Sequence, residues 1–194
     1  MSSLEKEPDS FYPWGGDFVT GSYQNPIALV LLNIDFTPSV DIAIYGKLKT
    51  ENIGIEKIIA NVISNPYIRF LIVVGEDIRG HRSGKSLLCL HKYGIDENHR
   101  IKNAPGAIPF IENIDQDAIN RFQQQITIID LIDTTDPSNI ENEIKKVLNT
   151  QVECFGEPFI AIQMVKKPKA LTGDKRALHS KISIQYLGKI QKRM

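Results

Sequence analysis

Two hydrophobic patterns alternate along this chain. Ile27-Ala-Leu-Val-Leu-Leu-Asn33 and Ile68-Arg-Phe-Leu-Ile-Val-Val74 are nearly continuous apolar runs. Runs of that length fit strands buried on both faces. Between them Ile55, Ile58, Ile59, Val62 and Ile63 recur at helical spacing, which predicts an amphipathic helix begun at Asn52 and stopped by Asn65-Pro66. Asp41–Tyr45 reads as a second strand ending at Gly46. Ser83–Tyr93 reads as a helix closed by Gly94, and Asp115 caps a short helix through Gln125 with Ala118, Ile119 and Phe122 inward. Ile126–Leu131 is a further strand. Asp136-Pro137 opens a helix that packs Ile140, Ile144, Val147 and Leu148, with the acid as cap and the proline at the first helical position. Phe159–Val165 reads as a late strand and Lys181–Leu187 as an alternating edge strand. The first 25 residues or so read as an irregular lead-in with Tyr12 and Trp14 packed on the body.

Strands alternating with helices imply an α/β fold, a Rossmann-like and mainly parallel sheet with helices on both faces. Charge adds a second region. Lys+Arg and Asp+Glu balance at 23 each, yet residues 166–194 hold nine Lys/Arg and only Asp174 as an acid. The chain therefore divides into an α/β body, 1–165, and a short basic C-terminal extension, 166–194. With no net field overall, nucleic acid is not an expected partner. No apolar run reaches the roughly 20 residues that cross a bilayer, and Met1–Ser10 has no signal-like apolar stretch. Cys89 and Cys154 stand far apart and form no disulfide framework. These features together lead us to expect a cytoplasmic chain.

In sheets of this kind ligands bind beyond the carboxyl ends of the strands, which singles out residues 46–54, 75–84 and 103–110. The middle loop, Gly75-Glu-Asp-Ile-Arg-Gly-His-Arg-Ser-Gly-Lys-Ser86, supports three readings. Gly84-Lys85-Ser86 copies the end of a phosphate loop, but Arg79 stands where its first glycine belongs and Gly80 leaves it one residue short. Ile126–Asp130 would then be the strand carrying a metal-binding acid. Alternatively, His81 is a metal ligand, since His81-x-x-Gly84 matches half of the D-x-H-x-x-G signature of cobalamin-dependent methyltransferases and mutases. Arg79 occupies the place of its Asp. In the third reading His81 is a surface histidine in a glycine turn. His91, His99 and His179 share no close spacing with it, so no structural zinc site is expected.

Longer strings add weight. Lys49-Thr-Glu-Asn-Ile-Gly-Ile-Glu-Lys57, Ile63-Ser-Asn-Pro66, Ile68-Arg-Phe-Leu71, Gly80-His81 with Gly84, Leu90-His-Lys-Tyr-Gly94, Gly106-Ala-Ile-Pro-Phe-Ile-Glu-Asn113 and Arg121-Phe-Gln-Gln124 resemble the A subunit of tetrahydromethanopterin S-methyltransferase. The order is the same and the separations are similar, from about Trp14 to Leu148. The resemblance implies a corrinoid carrier that passes a methyl group from methyl-tetrahydromethanopterin, or a related donor, to a thiol such as coenzyme M, working with a partner methyltransferase protein. It implies cobalamin as cofactor and His81 as the lower axial cobalt ligand. Thr50, Glu51, Asn52, Gly80, Ser83, Gly84, Gly106, Ala107, Ile108 and Pro109 match its cofactor-site loops. Arg79 cannot accept the second ring N–H of His81, which leaves Glu51, Asp77 and Ser83 as candidates. Two departures stand out: a basic tail where the family's membrane-bound members carry a transmembrane helix, and Leu48 where they tend to have Cys. Both suggest a cytoplasmic paralogue, and a non-catalytic cobalamin storage or sensing protein is the alternative.

Overall fold

The computed structural model describes residues 11–162, together with the backbone of 182–184 and 190–192. The chain forms two units, 1–164 and 165–194. In the first, strands β1 (Phe18–Thr20), β2 (Ile27–Leu31), β3 (Ile44–Lys47), β4 (Phe70–Gly75) and β5 (Thr127–Ile132) make one sheet in the order β1-β3-β2-β4-β5. All its pairings are parallel except β1 with β3.

The apolar runs are continuous because both faces are covered. Ala28 and Val30 of β2 and Leu71 and Val73 of β4 face α1 (Ile53–Ile63), α2 (Ser83–Tyr93) and α3 (Gln116–Gln125). Ile27, Leu29, Leu31, Ile72 and Val74 face Ile140, Ile144 and Val147 of α4 (Pro137–Leu148). The helix punctuation acts as the sequence indicates. Asn52 accepts the Ile53 N–H, Asp115 accepts that of Ala118, and Asp136 accepts those of Ser138 and Asn139 ahead of Pro137.

Three expectations need correction. The lead-in contains β1, whose three residues edge the sheet antiparallel to β3. The second strand begins at Ile44 rather than Asp41, because Asp41 is engaged in a turn: its carboxylate accepts the Ser22 N–H and its carbonyl accepts the Asn25 amide. Residues 159–162 are not a strand. Phe155 and Phe159 each donate one backbone bond, to Pro66 and Ile63, and Pro158 between them has no N–H to continue a ladder. Residues 163–165 lie outside the described residues. In the second unit β6 (Ile182–Ile184) pairs antiparallel with β7 (Ile190–Lys192) in a sheet of two strands. The rest of the expected Lys181–Leu187 strand lies outside the described residues.

The topology locates the site. From β2 the chain turns to β3 on one side, then crosses by way of α1 to β4 on the other. The crevice at the carboxyl ends of β2 and β4 is thus a topological switch point, where such sheets bind ligands. Residues 76–82 follow β4 directly into it.

Candidate functional site

Three segments meet at this crevice. Thr50, Glu51 and Asn52 precede α1. Thr50 Oγ1 accepts the Gly54 N–H at 2.9 Å and Asn52 Oδ1 that of Ile53 at 2.8 Å. These bonds tie the helix start down and leave Glu51, between them, turned inward and only 4% exposed. One of its oxygens accepts the Ile108 N–H at 3.0 Å; the other lies 3.1 Å from His81 Nδ1. Burial pushes the Glu51 carboxyl up, but hydrogen bonds from Ile108, from its own N–H and from His81 outweigh it and hold the group below the usual carboxylate range. A carboxylate so held accepts only, so Nδ1 carries the ring proton. In the neutral imidazole Nε2 then keeps its lone pair, on a side chain that is 67% exposed.

The second segment is the loop after β4. Gly80 has φ +97°, a conformation that favours glycine, and carries the chain into His81. Asp77 is not the partner of His81. Its carboxylate accepts the N–H groups of Gly84 at 3.1 Å and Lys85 at 2.9 Å, closing the N-terminus of α2. Those are amides that a phosphate loop would offer its ligand, and an acid already sits on them. The nucleotide reading fails on that point. Ser83 and Gly84 are buried beneath the loop.

The third segment is the excursion between α2 and α3. Bridges between Ile95 and Ile101 and between Arg100 and Phe110 fold it back, and buried Ile101, Ile111 and Ile114 anchor it. Gly106 is thereby pressed into the site: a Cβ there would come within 2.7 Å of the His81 carbonyl oxygen and 2.8 Å of Ser86 Oγ. Ala107 and Ile108 face outward, Ile108 59% exposed, while Pro109 is buried and its carbonyl accepts the Ile101 N–H. An open space of about 230 Å3 lies before His81, walled by Leu32, Leu48, Lys49, Ile78 and Ser83.

His91 bonds the Ile126 carbonyl at 2.8 Å and stands edge-on to Phe122, and His99 bonds the Ile111 carbonyl. Both are structural. His179 lies outside the described residues. Among the described residues no group of three His, Cys, Asp or Glu could enclose a metal by itself, and no helix is long and apolar enough to cross a membrane.

The arrangement also includes residues that pattern reading passed over. Glu56, buried on the apolar face of α1, accepts the N–H groups of Glu112 and Asn113 and the Asn113 side-chain amide. With Glu51 it gives the 106–113 segment two carboxylate anchors. The available signal was an acid set between Ile55 and Ile59 in an otherwise apolar stripe.

Residues 5–171 match the model of the MtrA family, the A subunits of tetrahydromethanopterin S-methyltransferase. The chain belongs to that family. It is 41% identical over 168 residues to the first of two such A subunits in Methanobrevibacter ruminantium, covering 84% of this chain and 69% of that one. It is 44% identical over 162 residues to the A subunit of a putative methyltransferase, Mtx, of Methanosarcina acetivorans, 84% and 82% of the two chains. The second tetrahydromethanopterin S-methyltransferase A subunit of Methanothermobacter thermautotrophicus is 41% identical over 164 residues, 82% and 87%. As a member of the MtrA family, the chain presents Glu51, His81 and Gly106–Ile108 together at the carboxyl edge of its sheet.

Proposed function

We propose that this chain is the corrinoid-carrying component of a methyl-transfer system, with His81 as the lower axial ligand of cobalt. The observation that carries the reading is the Glu51–His81 hydrogen bond, which occupies Nδ1 and leaves Nε2 free at a topological switch point. A single imidazole with one outward nitrogen suits a metal that brings its remaining ligands in a macrocycle, and it does not suit one that the protein must enclose. When bound, the corrinoid supplies the cobalt that takes up and gives away the methyl group.

The protein's own contribution is positioning and proton control. Glu51 fixes the tautomer and the ring orientation and raises the basicity of Nε2, as carboxylates behind ligating histidines do. The same carboxylate steadies an imidazolium if Nε2 takes up a proton, so the ring is held in place whether or not it is ligated. Gly80 and Gly106 let backbone pass close to the ring, and the exposed side chains of Ile78, Ala107 and Ile108 offer apolar surface beside it. Thr50 and Asn52 act through the helix start that aims Glu51. The donor in this reading is a methylated tetrahydromethanopterin, or a related donor, in keeping with the relatives' names; the acceptor is a thiol such as coenzyme M, and a partner methyltransferase protein presents the substrates.

Replacing His81 by Ala tests the reading. With added cob(III)alamin, wild-type protein should show an imidazole-ligated visible spectrum and the variant should not, with weaker binding. The same spectrum and affinity in both proteins would refute the axial role.

A further inference from the structure

The opposite edge of the sheet, at the amino ends of the strands, carries a cluster that the methyl-transfer reading does not use. Arg69 immediately precedes β4 and Arg121 lies on α3. Their guanidinium carbons stand 5.1 Å and 4.6 Å from the centre of the Phe155 ring. Fixed oxygens hold both groups in place. Arg69 donates to the Gln125 carbonyl at 3.0 Å and the Glu153 carbonyl at 2.7 Å. Arg121 donates to Gln125 Oε1 at 2.7 Å and the Glu157 carbonyl at 2.8 Å. Among the described residues Arg69 Nη2 and Arg121 Nη1 keep no hydrogen-bond partner, and neither side chain forms an ion pair. Glu153 and Glu157 contribute their carbonyls and not their carboxylates. Burial lowers the Arg121 pKa; Cys154 opposes the fall, and Arg69 adds to it as a like charge. Two half-buried cations held side by side without a counter-charge cost stability, and an incoming carboxylate offsets that cost. An open guanidinium nitrogen on a stacked arginine suits such a group.

The surroundings narrow the kind of anion. Cys154 acts electrostatically on both Arg121 and Tyr23, and Tyr23 belongs to a row of rings, 4.6 Å from Phe11 and 5.6 Å from Tyr67. Arginines beside a row of aromatic rings match the composition of protein interface centres. The wider field is unfavourable to long polyanions, since residues 1–165 hold 22 Asp/Glu against 14 Lys/Arg. Attraction is thus confined to two charges that share one ring. Carboxylates two residues apart on an extended chain, about 7 Å, fall within the reach of such a pair. We infer that Arg69, Arg121 and Phe155 form a docking site for an acidic segment of a partner protein. Its carboxylates take the two open guanidinium nitrogens, with the aromatic row beside them. The length of β4, about 20 Å, separates this surface from the loop that carries His81. A partner docked here leaves the crevice open, and the inference stands independently of the corrinoid reading.

The test titrates the full chain into a fluorescein-labelled peptide with glutamates at alternate positions of a Gly/Ser chain, and into its glutamine counterpart, reading Kd by fluorescence anisotropy. At low ionic strength wild type should bind the glutamate peptide at least about tenfold more tightly than the glutamine one. Arg69→Gln and Arg121→Gln should each weaken it about fivefold, as loss of one ion pair does. Lys145→Gln, which removes a charge from α4, should leave it unchanged. Location is read in wild type alone, so that no variant need fold. Saturating glutamate peptide should slow iodoacetamide alkylation of Cys154, which is exposed and adjoins Phe155, and leave that of Cys89 unchanged. Equal binding of the two peptides, undiminished binding in both arginine variants, or unslowed alkylation of Cys154 would overturn the inference. Displacement of the peptide by inorganic phosphate, at ionic strength held constant with chloride, would mark a small-oxyanion site and overturn the partner reading.

Discussion

Glu51 joins parts of the chain that lie far apart in sequence: the start of α1, the loop carrying His81 and the backbone of Ile108. Removing its charge while keeping its shape should therefore act on all three. Glu51→Gln is expected to lower corrinoid affinity about 10–100-fold, the usual effect of losing the partner behind a metal-bound histidine, measured by titration with cob(III)alamin. Its pH behaviour follows from the direction of its shift. A carboxyl held below its ordinary range in the folded state stabilises the fold above that range, and the contribution is lost as pH falls through the lowered value. On acidification below the carboxylate range, wild type should lose melting temperature faster than Glu51→Gln; parallel curves would contradict the assignment. At Gly106 the limit is space rather than charge. Gly106→Ala puts a methyl group against the His81 carbonyl and Ser86 Oγ. It should cost about 1–3 kcal/mol of stability in denaturant unfolding, in the range for overpacked sites, and weaken corrinoid binding as His81 is displaced.

Among the elements, α2 shows how a helix start can belong to a site without being a ligand pocket. Arg82 at its N-cap lies in the left-handed region and makes no side-chain cap, so Asp77 caps in its place. Asp77→Ala should destabilise the domain by about 1 kcal/mol, read by thermal unfolding, and should confer no affinity for nucleotides. Glu56 does for the 106–113 segment what Asp77 does for α2. Glu56→Ala removes the charged acceptor of the Glu112 and Asn113 donors, at about 1.5–3 kcal/mol, and amide exchange at Glu112 and Asn113 should quicken first. Much of this architecture is legible in sequence because it is locally encoded. Buried strands appear as apolar runs, and Asn52, Gly94, Asp115 and Asp136-Pro137 mark helix ends that depend only on neighbouring residues. What is not legible depends on distant partners. β1 exists because β3 offers an edge. Asp41 leaves its strand for Ser22 and Asn25. Pairing of Glu51 with His81, 30 residues away, needs the crossover that stacks α1 against the loop after β4. Sequence alone left Glu51, Asp77 and Ser83 as equals, and the geometry separates them.

At the scale of the molecule, the sheet and its four helices gather the proposed site residues within the first unit. A protein ending at Val165 is expected to bind cob(III)alamin as the full chain does, by equilibrium dialysis; loss of binding would place part of the site in residues 166–194. The most direct test of the central claim reads the cobalt–nitrogen contact itself. Protein labelled with 15N at histidine, loaded with cob(II)alamin whose own base carries ordinary 14N, is measured by electron paramagnetic resonance. Ligation by His81 predicts that the axial nitrogen splitting changes from triplets to doublets on labelling and that the doublets vanish in His81→Ala. Triplets that persist in labelled protein would show that the cofactor's own base, and not His81, lies beneath cobalt.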